Sequence, residues 1–187
     1  MSAEPVSPTL RMSEMEFLSR YADERPSYEF VNGEVLQKPM TKRTHVALAG
    51  EIAALLREYR KRVRGAFSGE DPTINLSHSA DRRYRAPDVA YWAPQKDQGG
   101  EVFLAPTLAV EIQSEGQALN VLRAKCREYR QRGVDVVWLV LPASRTVEVF
   151  DDAHDGVAVA PPDTLHAAEL PGFEVDLAAL FATVSSE

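Results

Sequence analysis

The spacing of apolar residues marks out the elements of this chain. Ser13-Glu14-Met15-Glu16 has the form of a capping box and predicts a short helix to about residue 21 or 22. Tyr28-Glu29-Phe30-Val31 and Glu34-Val35-Leu36-Gln37 are extended runs on either side of Asn32-Gly33, a strong hairpin signal. Val46, Leu48, Ala49, Ile52, Ala53, Leu55, Leu56 and Tyr59 recur at helical spacing and predict a helix over 44–63, stopped at Gly65. Short strands are expected over 66–68, 73–76 and 86–92, with a turn at 78–82 and a polar loop at 94–101. The apolar run Leu108-Ala109-Val110-Glu111-Ile112 reads as a buried strand. A helix is expected over about 117–132, with Leu119, Leu122, Cys126 and Tyr129 on one side and Gly133 as its stop. A second apolar run over 134–141 ends at Pro142. Strand, helix and strand at this spacing form a βαβ unit, with two parallel strands joined by a right-handed crossover. Beyond it, 146–150 and 157–160 predict edge strands, 170–173 a turn, and Asp176 the cap of a helix over 177–181. The first dozen residues are expected to be loose, followed by one domain over 13–187.

Composition changes this picture little. The chain has 187 residues, 44% hydrophobic and 26% charged, which suits one globular domain with a sizeable core. No apolar run approaches the roughly 20 residues needed to cross a bilayer, so no membrane partner is expected. The single cysteine, Cys126, cannot form an internal disulfide, and no secretory signal is visible at the N-terminus; a cytoplasmic location is therefore expected. The net charge of −7 is unevenly spread. Nine acidic residues and no Lys or Arg follow Arg145, leaving +2 for the rest. The basic residues cluster at 57–64, 82–85 and 123–132. Such clusters are compatible with phosphate binding, and equally with solvated helix faces.

The anomaly is Glu111. A carboxylate in the middle of a buried strand is costly unless it is paired or binds a cation. Asp88, beside another strand-like run, is the natural companion. Two carboxylates on adjacent strands repel unless a proton or a cation lies between them, and hard divalent ions such as Mg²⁺ or Mn²⁺ take oxygen ligands. Phosphodiester hydrolysis uses such an arrangement, but paired carboxylates also serve glycoside hydrolysis. Taken singly, Asp88 also reads as a turn residue after Pro87, and Glu111 as an ion-paired strand residue.

The ordered set of motifs is sharper. Tyr28-Glu29-Phe30-Val31-Asn32-Gly33-Glu34-Val35, His45 opening a long helix, Ala86-Pro87-Asp88-Val89, Leu108-Ala109-Val110-Glu111-Ile112-Gln113-Ser114, Lys125-Cys126-Arg127-Glu128-Tyr129, Gly133-Val134, Val137-Trp138-Leu139-Val140 and Leu170-Pro171-Gly172-Phe173 follow one another along nearly the whole chain. In this order they resemble the PD-(D/E)XK nuclease superfamily and, more closely, the Uma-two family of bacterial restriction-fold endonucleases. The resemblance implies a restriction-endonuclease-like α/β core, a mixed central sheet flanked by helices, with the N-terminal hairpin attached. It implies an endonuclease acting on DNA phosphodiesters with Mg²⁺ or Mn²⁺, with nucleic acid and a second copy of the chain as partners. Asp88 and Glu111 are then metal ligands, with Glu34 and His45 able to complete the set. The superfamily places a lysine two residues after the acidic strand residue. Here that place holds Gln113, which can hydrogen-bond a water but supplies no positive charge. Lys125, on the following helix, is its expected replacement, because a lysine displaced onto that helix occurs in the family. Tyr129, one turn on, is expected to pack. The substitution at Gln113 keeps a second reading open: a non-cutting module that binds nucleic acid or protein.

Overall fold

The computed structural model describes residues 10–39, 42–97, 99 and 103–184. In chain order its elements are β1 (Leu10–Arg11), α1 (Glu14–Arg20), β2 (Tyr28–Val31), β3 (Glu34–Gln37), α2 (Arg43–Val63), β4 (Ala66–Ser68), β5 (Ile74–Asn75), β6 (Arg83–Arg85) and β7 (Val89–Trp92). These are followed by β8 (Leu108–Ile112), α3 (Leu119–Gln131), β9 (Val136–Leu141), β10 (Thr146–Phe150), β11 (Asp155–Val159), β12 (Thr164–His166), β13 (Glu174–Asp176) and α4 (Leu177–Ala182). The fold is mixed α/β. A six-stranded sheet, ordered β11-β10-β9-β8-β7-β4, carries α2 and α3, and a five-stranded sheet, ordered β1-β3-β2-β6-β5, holds the N-terminal hairpin.

Local chemistry accounts for most boundaries. Ser13 caps α1, its Oγ accepting from the Glu16 amide at 3.2 Å. Asn32 and Gly33 both adopt positive φ (48° and 92°), as a tight hairpin turn between β2 and β3 requires. Strands β8 and β9 pair in parallel through α3, as the βαβ pattern predicts. Gly133, at φ 90°, follows the end of α3 and lets the chain turn back into the sheet. Asp176 caps α4 through the Ala179 amide at 3.0 Å.

Three readings change. Leu10 and Arg11, expected in a loose tail, pair with Val35 and Glu34 of β3. The rest of that tail, 1–9, lies outside the described residues, as do Gln98, Gly100 and Glu101 of the polar loop. The expected strand over 86–92 starts at Val89, and a separate strand, β6, precedes it in the other sheet. Arg83 and Arg85, read from sequence as part of a basic cluster, thus sit on a strand between β2 and β5. Strands β12 and β13 pair with each other and had no periodic signal.

Alternation along β8 separates two environments. Leu108, Val110 and Ile112 join the core under α2, with Leu48, Ile52 and Leu56. Ala109 faces the other way, into the core under α3 formed with Leu122, Cys126 and Tyr129. By the same alternation Glu111 is on the α3 side.

Candidate active site

Asp88 immediately precedes β7. Its amide donates to the Val110 carbonyl at 2.9 Å, so it is locked to β8 one step before the strand begins. Its carboxylate is buried and fully engaged. Oδ2 accepts from the Ile112 amide at 2.6 Å and lies 3.1 Å from His45 Nε2, and Oδ1 accepts from Lys38 Nζ at 2.6 Å. Glu111, also buried, forms an ion pair through Oε1 with Lys125 Nζ at 2.9 Å and accepts through the same oxygen from the Tyr129 hydroxyl at 2.7 Å. Lys125 and Tyr129 are one helical turn apart on α3 and therefore share a face.

A third carboxylate joins them. Glu29, on β2, accepts through Oε1 from Lys125 Nζ at 2.6 Å and from the Ala86 amide at 3.2 Å. Its Oε2 accepts from Arg85 Nη1 at 2.8 Å. Arg85 in turn grips Glu128 with two bonds of 2.9 Å. Lys38, just after β3, donates to Asp88, to Asp71 Oδ1 at 2.6 Å and to the Ala86 carbonyl at 2.7 Å. The five-stranded sheet thus supplies Glu29, Lys38 and Arg85 to a site whose other half lies on the six-stranded sheet and α3.

The charges set one another. Burial alone would raise the pKa of every carboxyl here. At Glu29 the Lys125, Arg85 and Lys38 cations outweigh burial and bring it down to about 2. At Asp88 burial is likewise overcome by Lys38 and His45, and its carboxyl lies well below the usual carboxylate range. At Glu111 burial prevails over Lys125, with Asp88 and Glu29 adding like-charge repulsion, and its carboxyl is pushed up. Burial also works against Lys125, yet Glu111 and Glu29 hold its pKa above the usual lysine value. The Tyr129 hydroxyl is raised well above its ordinary value by burial and by Glu111, so it stays protonated and donates.

Of the residues singled out from sequence, Asp88, Glu111, His45 and Lys125 come together. Gln113 sits beside them, at the end of β8. Its amide donates to the Val140 carbonyl at 2.9 Å, and its Nε2 donates to the Gln117 carbonyl at 3.0 Å. It lines a cleft of about 370 Å³ with His45, Thr44, Ser114 and Pro142, and the Lys42–Glu115 ion pair also borders it. Glu34 does not come to the cluster. It is half-exposed on β3 and pairs with Arg11. Glu29, Lys38 and Arg85 were missed. Glu29 carried the same signal as Glu111, a carboxylate in an extended apolar run, but was read only as part of the hairpin. Nothing in the sequence points to Lys38.

The basic clusters are also largely spoken for. Arg83, Arg123, Arg127, Arg130 and Arg132 pair with Glu128, Glu148, Asp155, Asp152 and Asp81 respectively. Only the 57–64 segment keeps several cations without an acidic partner among the described residues, which narrows the basic face expected from sequence.

The donor chemistry fits a hard divalent ion. Two buried carboxylates and an imidazole converge on one end of the sheet. Among the described residues, however, no three His, Cys, Asp or Glu side chains form a ready-made cage.

With this geometry in place, the Uma2 family model, described as "Putative restriction endonuclease", matches residues 14–179. The chain belongs to the Uma2 family. A crystal structure of a putative nuclease of the DUF820 group from Anabaena variabilis superimposes on it with a TM-score of 0.75. The two are 20% identical, and the match covers 94% of this chain and 98% of the other. At that identity the likeness establishes a shared fold. No curated protein matches the chain. Among the described residues of this Uma2 protein, no helix is long and apolar enough to cross a membrane.

Proposed function

We propose that this Uma2 protein is a metal-dependent endonuclease that hydrolyses DNA phosphodiesters. The observation that carries this reading is the placement of Asp88, hydrogen-bonded to β8 just ahead of β7, beside Glu111 on β8, with Lys125 directly on Glu111. Asp88 and Glu111 hold Mg²⁺ or Mn²⁺, with His45 beside Asp88; Glu34 is not assigned to the set. The ion supplies Lewis-acid polarisation of a phosphoryl oxygen and hydroxide from water at neutral pH.

The chain's own groups supply the rest. Lys125 has three donors, of which two are committed to Glu29 and Glu111 among the described residues. The third is available to orient a water or to meet charge growing on a phosphate oxygen. Gln113 has one of its two Nε2 hydrogens committed to the Gln117 carbonyl, which leaves the other and its acceptor oxygen to meet a water. Tyr129 holds Glu111 in place from the side away from solvent. DNA rather than RNA as substrate and a homodimer able to address two strands belong to the same reading by analogy with the fold, and a cytoplasmic location, from the single cysteine, accords with it.

A second reading has an observation of its own. Asp88 and Glu111 are each already neutralised by a lysine, and Gln113 stands where a lysine is usual. A module that binds nucleic acid without cutting fits that arrangement. Mn²⁺ and Mg²⁺ titration with plasmid nicking on the same samples separates the two. For the endonuclease, wild type binds the ion and nicks DNA, and Asp88→Asn and Glu111→Gln each lower the rate on the order of 10³-fold. DNA binding that survives both substitutions, with no nicking by wild type in either metal, would establish the binding module instead.

A further inference from the structure

Lys38 is a largely enclosed cation, its side chain 12% exposed, that the proposed chemistry does not use. It follows β3, ahead of Pro39, and its side chain crosses from the five-stranded sheet to Asp88. An ammonium has three N–H donors. All three of Lys38 are matched, to Asp88 Oδ1 at 2.6 Å, Asp71 Oδ1 at 2.6 Å and the Ala86 carbonyl at 2.7 Å. Lys125 differs in this respect, since two carboxylates account for two of its donors. A saturated ammonium has nothing to offer a phosphate or a water without releasing a partner. What it does have is the coordination habit of a small hard cation: two carboxylate oxygens and a carbonyl oxygen at short range.

We propose that Lys38 is a tethered counter-ion that occupies the cation position at Asp88 in the metal-free protein and must leave that carboxylate when a divalent ion binds. This rests on the reading of Asp88 as a metal ligand. The physical case is one of charge. Asp71, Asp88, Glu111 and Glu29 crowd one region, and Asp88 and Glu111 repel each other across adjacent strands. Without a cation near Asp88, folding would bring this charge together uncompensated. Lys38 supplies the compensation from within the chain, so the site is preformed before metal arrives. The consequence is competition. The metal must displace a charge-assisted hydrogen bond, and its affinity is lower than the carboxylates alone would give. Asp71 then gives the released ammonium somewhere to remain, because it holds Lys38 independently of Asp88 and is itself anchored by the Ser27 hydroxyl at 3.1 Å.

The test is calorimetric titration of MnCl₂ into full-length wild type, Lys38→Met and Lys38→Gln, with melting temperatures taken with and without the ion. Lys61→Met, which removes an equal charge from the exposed pair with Glu58, is the control. The expected result is Mn²⁺ binding tightened by about tenfold or more in both Lys38 variants, a lower melting temperature without metal, and a larger rise on adding it. Lys61→Met is expected to match wild type. Wild type that binds Mn²⁺ no more weakly than the Lys38 variants overturns the proposal, as does an equal gain in Lys61→Met, which would reduce the effect to net charge. If wild type and both variants all fail to bind Mn²⁺, the metal reading of Asp88 and Glu111 falls, and this inference with it. Should the variants not fold, amine acetylation of wild type, read residue by residue by mass spectrometry, takes their place. Lys38 is expected to become several-fold more reactive when Mn²⁺ is added, and unchanged reactivity at saturating metal counts against displacement.

Discussion

On the α2 face of the six-stranded sheet, Leu48, Ile52, Leu56 and Tyr59 meet Val110, Trp138, Val140 and Val149, with α4 closing the layer through Leu180 and Phe181. On the α3 face, Leu122 and Cys126 pack on Ala109, Val137 and Leu139, but one end of the layer is given over to Glu111, Lys125, Glu29 and Arg85. The first face chiefly desolvates apolar surface, which stabilises at roughly 25 cal/mol per Å², although the buried Trp138 indole N–H has no partner among the described residues. The second face desolvates charges whose mutual attraction does little more than offset that cost. The same sheet thus carries most of its apolar packing on the α2 side and most of its charged groups on the α3 side, with His45 of α2 reaching Asp88 at the end of the sheet. A site of opposed charges is tolerable there because the α2 face holds the strands in register without its help.

The largest expected effect tests the stabilising face. Leu56 is fully buried under the sheet, and Leu56→Ala should cost about 3–5 kcal/mol by denaturant titration. Its Mn²⁺ affinity at low temperature should nevertheless stay within about twofold of wild type. A proportional loss of metal binding would mean that the two faces are one cooperative unit and that the division of labour is wrong.

Much of this division was legible in the sequence. The helix over 44–63, the hairpin at Asn32-Gly33 and the βαβ unit are local patterns, and the chain writes them with 3.6- and 2-residue periods and turn residues. Glu111 stood out because a charge interrupts an apolar strand. The rest of the site was hidden, because its partners are distant in sequence. Lys38 reaches Asp88 across 50 positions, and Arg85 reaches Glu29 across 56. Strand β6 was obscured for the same reason. Arg82-Arg83-Tyr84-Arg85 looks like solvent-facing charge until Glu29 and Glu128 are seen to neutralise Arg85. Glu34 erred in the opposite direction, since its neighbourhood in sequence suggested a site that its strand position does not reach.

An intermediate effect sharpens the polar half of the comparison. Glu29 titrates at about 2 in the folded protein against an ordinary 4.5. A depressed carboxyl contributes stability that is fully present above its unfolded pKa and is lost as pH falls through the folded one. Glu29→Gln should therefore be less stable than wild type at pH 7 by on the order of 1–3 kcal/mol. The gap should close between pH 4.5 and pH 2, where wild type protonates as well. Chemical denaturation across that range is the measurement. A gap that stays constant down to pH 2 would show that Glu29 stabilises by packing and that its charge is idle.

The smallest expected effect bears on where the site ends. Glu34 and Arg11 form an ion pair at the outer edge of the five-stranded sheet, with the Arg11 side chain 74% exposed. Water screens such a pair and side-chain entropy opposes it, so it is worth roughly 0–1 kcal/mol. Glu34→Ala should lower stability by no more than that, and the loss should disappear at high salt. Its metal affinity and nicking rate should match wild type, because no described contact joins Glu34 to Asp88 or Glu111. Glu29 sits on the adjacent strand of the same hairpin, five residues earlier, and there the same residue type is buried between Lys125 and Arg85. The two glutamates therefore test the boundary directly: a metal defect in Glu34→Ala comparable to that of Glu111→Gln would extend the site over the hairpin's outer edge, and the contrast between buried and exposed charge would no longer separate chemistry from surface.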